Sequence, residues 1–166
     1  MSGLWGVVTG WADAWASVYN DSTLIENAVA CLHVGATLLA GGLAIAADRT
    51  TLRARSIPGL GREVTLRELY AVHTPVLIGL AVTILSGMLM LAADLEVMLG
   101  SWVFWLKMGF FVVLLANGVV MRGAERRLAE APGSEDAWSL LRKCSMVSLA
   151  LWFGVTLTGT MLLNVS

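Results

Sequence analysis

Two histidines and one lysine carry whatever chemistry lies inside the apolar stretches of this chain: His33, His73 and Lys107. An imidazole or ammonium is costly in hydrocarbon without a partner, so each is a candidate functional group. Imidazole is an axial ligand of haem iron, whose redox chemistry the surrounding protein tunes. His33 and Lys107 fall at nearly the same depth, roughly 7 Å inside the same boundary at about 1.5 Å per residue. That coincidence makes His33 the candidate axial ligand of a b-type haem. Lys107 is then the group for a propionate, a second ligand position or a substrate carboxylate, although its stem also reaches water by snorkelling. His73 lies near the opposite boundary, roughly 17 Å away in height, which is too far for both histidines to hold one iron. It precedes Thr74 and Pro75. The proline frees a backbone carbonyl one turn earlier and can kink a helix. His73 therefore either satisfies that loosened backbone or contacts a second haem or a quinone. Trp102 and Trp105 open the segment that carries Lys107 and are candidates to pack on a macrocycle.

A second chemistry uses softer atoms. Cys31, His33, Met88, Met90 and Met161 share the same third of their segments. Thiolate, thioether and imidazole favour Cu(I), so copper is the alternative metal. Methionine in an apolar helix otherwise fills core space.

The elements that must position these groups are legible from hydropathy. The chain has 166 residues, 57% of them hydrophobic and 14% charged, with a mean hydropathy of +0.76. A soluble domain carries roughly a quarter charged residues. A disordered chain, a nucleic-acid binder and an ordinary soluble enzyme are excluded on that ground, and the net charge of −1 recruits no polyanion. Two cysteines without CxxC spacing make no disulfide scaffold. Crossing a hydrocarbon layer takes about 20 apolar residues. Four stretches qualify, at about Ala28–Ala47, Leu69–Ala93, Trp102–Met121 and Cys144–Leu163. Thr23-Leu-Ile-Glu26 and Thr65-Leu-Arg-Glu68 read as capping boxes that start the first two helices, and Pro132-Gly133-Ser134 separates the third from the fourth. The expected fold is an all-α integral membrane four-helix bundle over residues 23–166, and Lys107 is expected to be the only charge within a span. Small residues such as Gly35, Gly41, Gly42, Gly79, Ser86, Gly87, Gly154 and Gly159 are expected to let the helices approach closely.

Charge orients the bundle. Of 11 basic residues, Arg49, Arg53, Arg55, Arg62 and Arg67 lie between spans one and two. Arg122, Arg126, Arg127, Arg142 and Lys143 lie between spans three and four, and only Lys107 is left. The positive-inside rule then puts these two loops in the cytoplasm and both termini outside, and the compact design suits a bacterial inner membrane. Residues 1–22 have no basic start and no clean apolar run, so they do not read as a signal peptide. Leu4, Val8, Trp11, Trp15 and Tyr19 recur at helical spacing, with Asp13 and Asn20 off the stripe. This is a short amphipathic interfacial helix, set either in the lipid headgroups or against this protein's own helices or a partner subunit.

Three stretches carry a resemblance. Ala30-Cys-Leu-His33-Val-Gly-Ala, followed by Gly-Gly-Leu-Ala and Asp-Arg49, resembles the first helix of the HemJ-type protoporphyrinogen oxidases. His73-Thr-Pro75 with Ser-Gly87, then Gly100-Ser-Trp-Val-Phe-Trp-Leu-Lys107 and Arg122-Gly-Ala-Glu-Arg-Arg127, is similar to later parts of the same family. The placement of Lys107, Asn117 and Arg122 equally resembles the core of CopD-like copper-resistance membrane proteins. The likeness spans about residues 24–130 and implies a small helical bundle with haem b, His33 as ligand and Lys107 as the functional lysine. HemJ-type proteins carry a further histidine near positions 117–118, where this chain has Asn117 and Gly118. The functions in view are therefore electron transfer or porphyrin or quinone redox chemistry on a haem, copper handling, and a non-catalytic accessory role in a larger membrane complex.

Overall fold

The computed structural model describes residues 2–54 and 60–162. Helix is the only regular structure among the described residues, as expected where lipid cannot hydrogen-bond a free backbone. The helices are α1 (Ser2–Asn20), α2 (Thr23–Arg53), α3 (Leu60–Ala93), α4 (Leu95–Gly100), α5 (Trp102–Glu130) and α6 (Glu135–Leu162). α2, α3, α5 and α6 are each long and apolar enough to cross a membrane, so the chain is an all-α integral membrane four-helix bundle. The side chains of Leu4 and Val8, Arg55 of the first basic loop and the end of the fourth span at Leu163 lie outside the described residues.

The helices run past the apolar stretches that mark them in the sequence. α2 has 31 residues and is roughly 46 Å long, more than a hydrocarbon core of about 30 Å. Its start is capped by Ser22, whose hydroxyl accepts from the Ile25 amide, rather than by Thr23. Thr65 does not start α3. It lies one turn inside that helix, buried, with its hydroxyl donating to the Gly61 carbonyl at 2.8 Å. The break after α5 falls where Pro132-Gly133-Ser134 stands, and the Ser134 hydroxyl accepts from the Ala137 amide at the head of α6.

The packing is two antiparallel pairs, α2 with α3 and α5 with α6, joined through α2 against α6. The backbones of α3 and α5 stay apart, and side chains bridge them near the basic end, where Leu69 clusters with Ala124 and Leu128. Small residues hold the joints together. A Cβ on Gly79 would sit 2.9 Å from the Ala40 Cβ, and one on Gly41 would sit 3.0 Å from the Trp152 ring. Gly35 and Gly42, by contrast, have open space beside them.

The most fully buried side chains lie at the end where the basic loops emerge, which we term the basic end. There Leu69, Leu128, Trp138 and Leu141 pack with Ala47, Ala54, Ala124 and Ala137. Trp138 donates its indole N–H to the Pro132 carbonyl at 3.1 Å, and the Arg62 guanidinium sits 5.2 Å from its ring centre. Arg62 also pairs with Glu135 at 2.7 Å, tying the start of α3 to the start of α6.

At the other end, α1 lies against α2 and α3. Tyr19 is buried with Val29 and Ala93, and Trp15 donates to the Leu89 carbonyl at 2.8 Å. Burial, with Glu26 and Asp94 nearby, pushes the Tyr19 phenol above its usual range. Trp11 is 77% exposed, so the aromatic stripe divides between the protein's own helices and its surroundings.

Gly79→Leu is expected to lower stability by about 1–3 kcal/mol, because α2 and α3 must separate to admit the side chain. Thermal unfolding in detergent checks this, with Gly35→Ala unchanged as the control.

Candidate functional site

His33 is half-buried on α2 and turned towards α3. Its Nδ1 lies 3.1 Å from the Thr83 carbonyl oxygen and 3.1 Å from the Ser86 hydroxyl. A carbonyl only accepts, and the Ser86 hydroxyl spends its proton on the Val82 carbonyl at 2.6 Å. Nδ1 is therefore the protonated nitrogen of the neutral ring, and Nε2 makes no hydrogen bond among the described residues. Thr37 completes the cluster, donating to the His33 carbonyl at 2.7 Å and lying 3.2 Å from the Thr83 hydroxyl. Gly87 lies close beside it, where a Cβ would come 3.1 Å from Cε1 of the ring.

Lys107 of α5 is half-buried, and its Nζ lies 3.7 Å from where a Cβ on Gly159 of α6 would stand. It is close enough to act electrostatically on His33. Among the described residues no carboxylate forms a salt bridge with it.

His73 belongs elsewhere. Thr83, the partner of His33, is ten residues further along α3, roughly 15 Å at the helical rise. His73 Nδ1 instead lies 3.8 Å from Glu125 Oε2 of α5. α3 continues unbroken through Pro75. Trp102 and Trp105 are 68% and 58% exposed at the start of α5. The Trp105 indole donates to the Leu99 carbonyl at 3.0 Å, and its ring meets Phe104 edge-on. Of the soft-metal group, Cys31, Met88 and Met161 are exposed, and Met90 packs beside Tyr19, Val29 and Ala93. Among the described residues no three His, Cys, Asp or Glu side chains converge as a metal site.

One expectation is corrected here. Lys107 is not the only charge inside the bundle, because Asp48 and Glu125 are buried to 1% and 4% exposure within α2 and α5. Hydropathy ends a span at its first charges, whereas these helices continue and pack for further turns. Ser145 and Ser148 of α6 face the Asp48 carboxyl. Even so, Asp48 Oδ2 has no hydrogen-bond partner among the described residues. Asn117, at the position where the HemJ-type pattern has a histidine, donates to the Cys144 carbonyl at 3.0 Å and links α5 to α6. A polar residue five places before a basic one on an apolar helix was the available signal for it.

The helix layout leaves a cavity of about 260 Å³ between α3 and α5, backed by α2 and α6. Asp48, His73, Arg122 and Glu125 form its polar end, Asn117 and Ser148 also line it, and the rest of the wall is apolar, with Trp152 among it. A second space of about 240 Å³ adjoins it and shares His73, Arg122 and Glu125.

Comparison with protein-family models, curated proteins and solved structures finds no match to this chain. The fold and site define a four-helix membrane protein with one polar cluster in each half.

Asn117→Leu should cost about 0.5–2 kcal/mol, the usual worth of one interhelical hydrogen bond in a membrane. Thermal unfolding checks it, and Asn117→Gln, which keeps a donor, should lose less.

Proposed function

We propose that this protein binds a b-type haem within the membrane and serves electron transfer to or from a porphyrin, a quinone or another carrier. The observation that carries the reading is the state of His33. A ligating histidine characteristically donates its other ring N–H to a carbonyl, which fixes the tautomer and aims the free nitrogen at the metal. His33 has that arrangement, with Nδ1 on the Thr83 carbonyl and Nε2 unused. The donor set fits an axial ligand, and Gly87 leaves room for the ring against α3. A bound haem supplies one-electron chemistry at its iron.

The protein's own groups bind and orient. His33 offers Nε2, and Ser86 with Thr83 holds the ring in place. Lys107 is a half-buried cation with no carboxylate partner among the described residues, which suits a propionate. Its place beside His33 favours this reading over the soft-metal one, whose methionines face outward or fill core. The basic residues gathered at one end support an orientation with that end in the cytoplasm and α1 on the outer face of a bacterial inner membrane.

Absorption spectra of the detergent-purified protein, oxidised and dithionite-reduced, test the proposal. The expected result is a Soret band with sharp reduced α and β bands, lost in His33→Ala and retained at lower haem occupancy in Lys107→Met. A featureless spectrum from haem-replete cells overturns it, and co-purification with a fixed set of larger subunits would then favour an accessory role.

A further inference from the structure

Arg122 and Arg126 stand one turn apart on one face of α5 and line the space of about 240 Å³ beside α3. Tyr70, His73 and Thr74, also within one turn of each other, line it from α3. We propose that this space, together with the larger cavity it adjoins, binds an anionic phospholipid. The phosphodiester lies between the two guanidiniums, and one acyl chain lies in the cavity between α3 and α5. The inference uses neither His33 nor Lys107 and stands without the haem reading.

Three observations carry it. The first is charge that the protein leaves unpaired. Arg62, at the same end of the bundle, is held by Glu135 and the Trp138 ring. Arg122 and Arg126 form no salt bridge among the described residues, and Arg126 does not pair with Glu130 one turn on. Glu125, the acid of the site, is 4% exposed and faces His73 at 3.8 Å. Arg122 acts on it electrostatically from beyond salt-bridge distance. Two exposed guanidiniums against one buried carboxylate leave the site positive. A guanidinium meets phosphate oxygens with two parallel N–H donors. The Tyr70 and Thr74 hydroxyls are further donors on the opposite wall, and both residues are exposed, so a headgroup reaches them without rearranging the core.

The second is the order of polar and apolar wall. The space shares His73, Arg122 and Glu125 with the cavity of about 260 Å³. From those residues the cavity continues to Leu80 on α3 and Leu114 on α5, roughly 10–12 Å further at the helical rise. That stretch of wall is mostly apolar. Asn117 is engaged with the Cys144 carbonyl, and Ser148 faces Asp48. A phospholipid has the same order, with its charge at the membrane surface and its chain towards the midplane. Basic pockets between membrane helices are recurrent sites for anionic headgroups.

The third is access. The backbones of α3 and α5 stay apart, and Leu77 and Val119, 46% and 72% exposed, line the cavity at its mouth. A chain therefore enters sideways from the bilayer while its headgroup stays at the surface. A soluble phosphate compound would fill only the head of the site and leave the apolar part without an occupant.

The test uses the full chain in phosphatidylcholine nanodiscs with a small, varied fraction of phosphatidylglycerol carrying dibrominated acyl chains. Bromine quenches tryptophan on contact, and Trp152 lines the cavity. The part of the quenching that disappears in Trp152→Phe is the signal, with unbrominated phosphatidylglycerol as reference. In the wild type it should saturate with phosphatidylglycerol and exceed that from dibrominated phosphatidylcholine at least fivefold at equal fraction. Arg122→Gln combined with Arg126→Gln should weaken the apparent affinity at least fivefold. Arg127→Gln, an exposed neighbour that does not line the space, should change it less than twofold. Inorganic phosphate should displace the lipid no more than sodium chloride does at equal ionic strength. Equal quenching by the two brominated lipids overturns the proposal, and this comparison needs no arginine variant to fold. A double variant with wild-type affinity overturns it too. So does displacement by inorganic phosphate beyond the salt effect, which would make the ligand a free anion. None of these readouts uses a haem band, so this site and the haem reading fail separately.

Discussion

Everything in this bundle depends on how closely α2 approaches α3 and α6. Lipid tails are as apolar as leucine, so no hydrophobic force drives membrane helices together, and close backbone contact must replace it. Ala40 lies against Gly79 on one side of α2, and Gly41 lies under the Trp152 ring on another. With α2 committed to both neighbours, the backbones of α3 and α5 are left on the far sides, and side chains bridge them near the basic end. The lateral opening is a consequence of that geometry. The same contacts bring Asp48 against Ser145 and Ser148, and His33 against Thr83 and Ser86.

The two ends are held by different physics. At the basic end the helices run beyond the hydrocarbon, and there the chain builds a core of the kind found in soluble proteins. Trp138, Leu128 and Leu141 are almost wholly buried, reinforced by the Arg62–Glu135 pair and the stacking of Arg62 on Trp138. Water is available to drive burial there and absent in the middle of the span. At the other end α1 folds back on α2 and α3, and its tryptophan and tyrosine combine apolar burial with a hydrogen bond. The middle is left with small residues, a few hydroxyls and the two polar clusters.

Those clusters sit at different heights, and their partners differ in kind. His33 is bonded to a carbonyl and a hydroxyl of α3, while Lys107 stands beside it without a carboxylate. His73 faces a carboxylate of α5 and the guanidinium of Arg122. One arrangement leaves an imidazole nitrogen free, and the other gathers acids and bases at the head of an apolar cavity. A protein with both has a polar station in each half of the membrane, separated by the aliphatic contacts around Ala40, Leu114 and Leu151.

The all-α membrane fold and the number of long helices were legible in the sequence. Hydropathy, charge and a fixed rise per residue act locally, so a one-dimensional reading carries them. The helix ends were legible only approximately, because Ser22 caps where Thr23 stood out and α3 starts a turn or more before Thr65. The burial of Asp48 and Glu125 was not legible, and neither was the role of Asn117 as a link to α6. Those facts arise from which faces of different helices meet, and a charge near the end of an apolar run reads the same whether it points to water or to a neighbouring serine. The sequence determined that four helices would be long and apolar enough to cross a membrane. Tertiary structure alone decided that α3 and α5 would stand apart, because that depends on where the small residues of α2 allow its neighbours to close in.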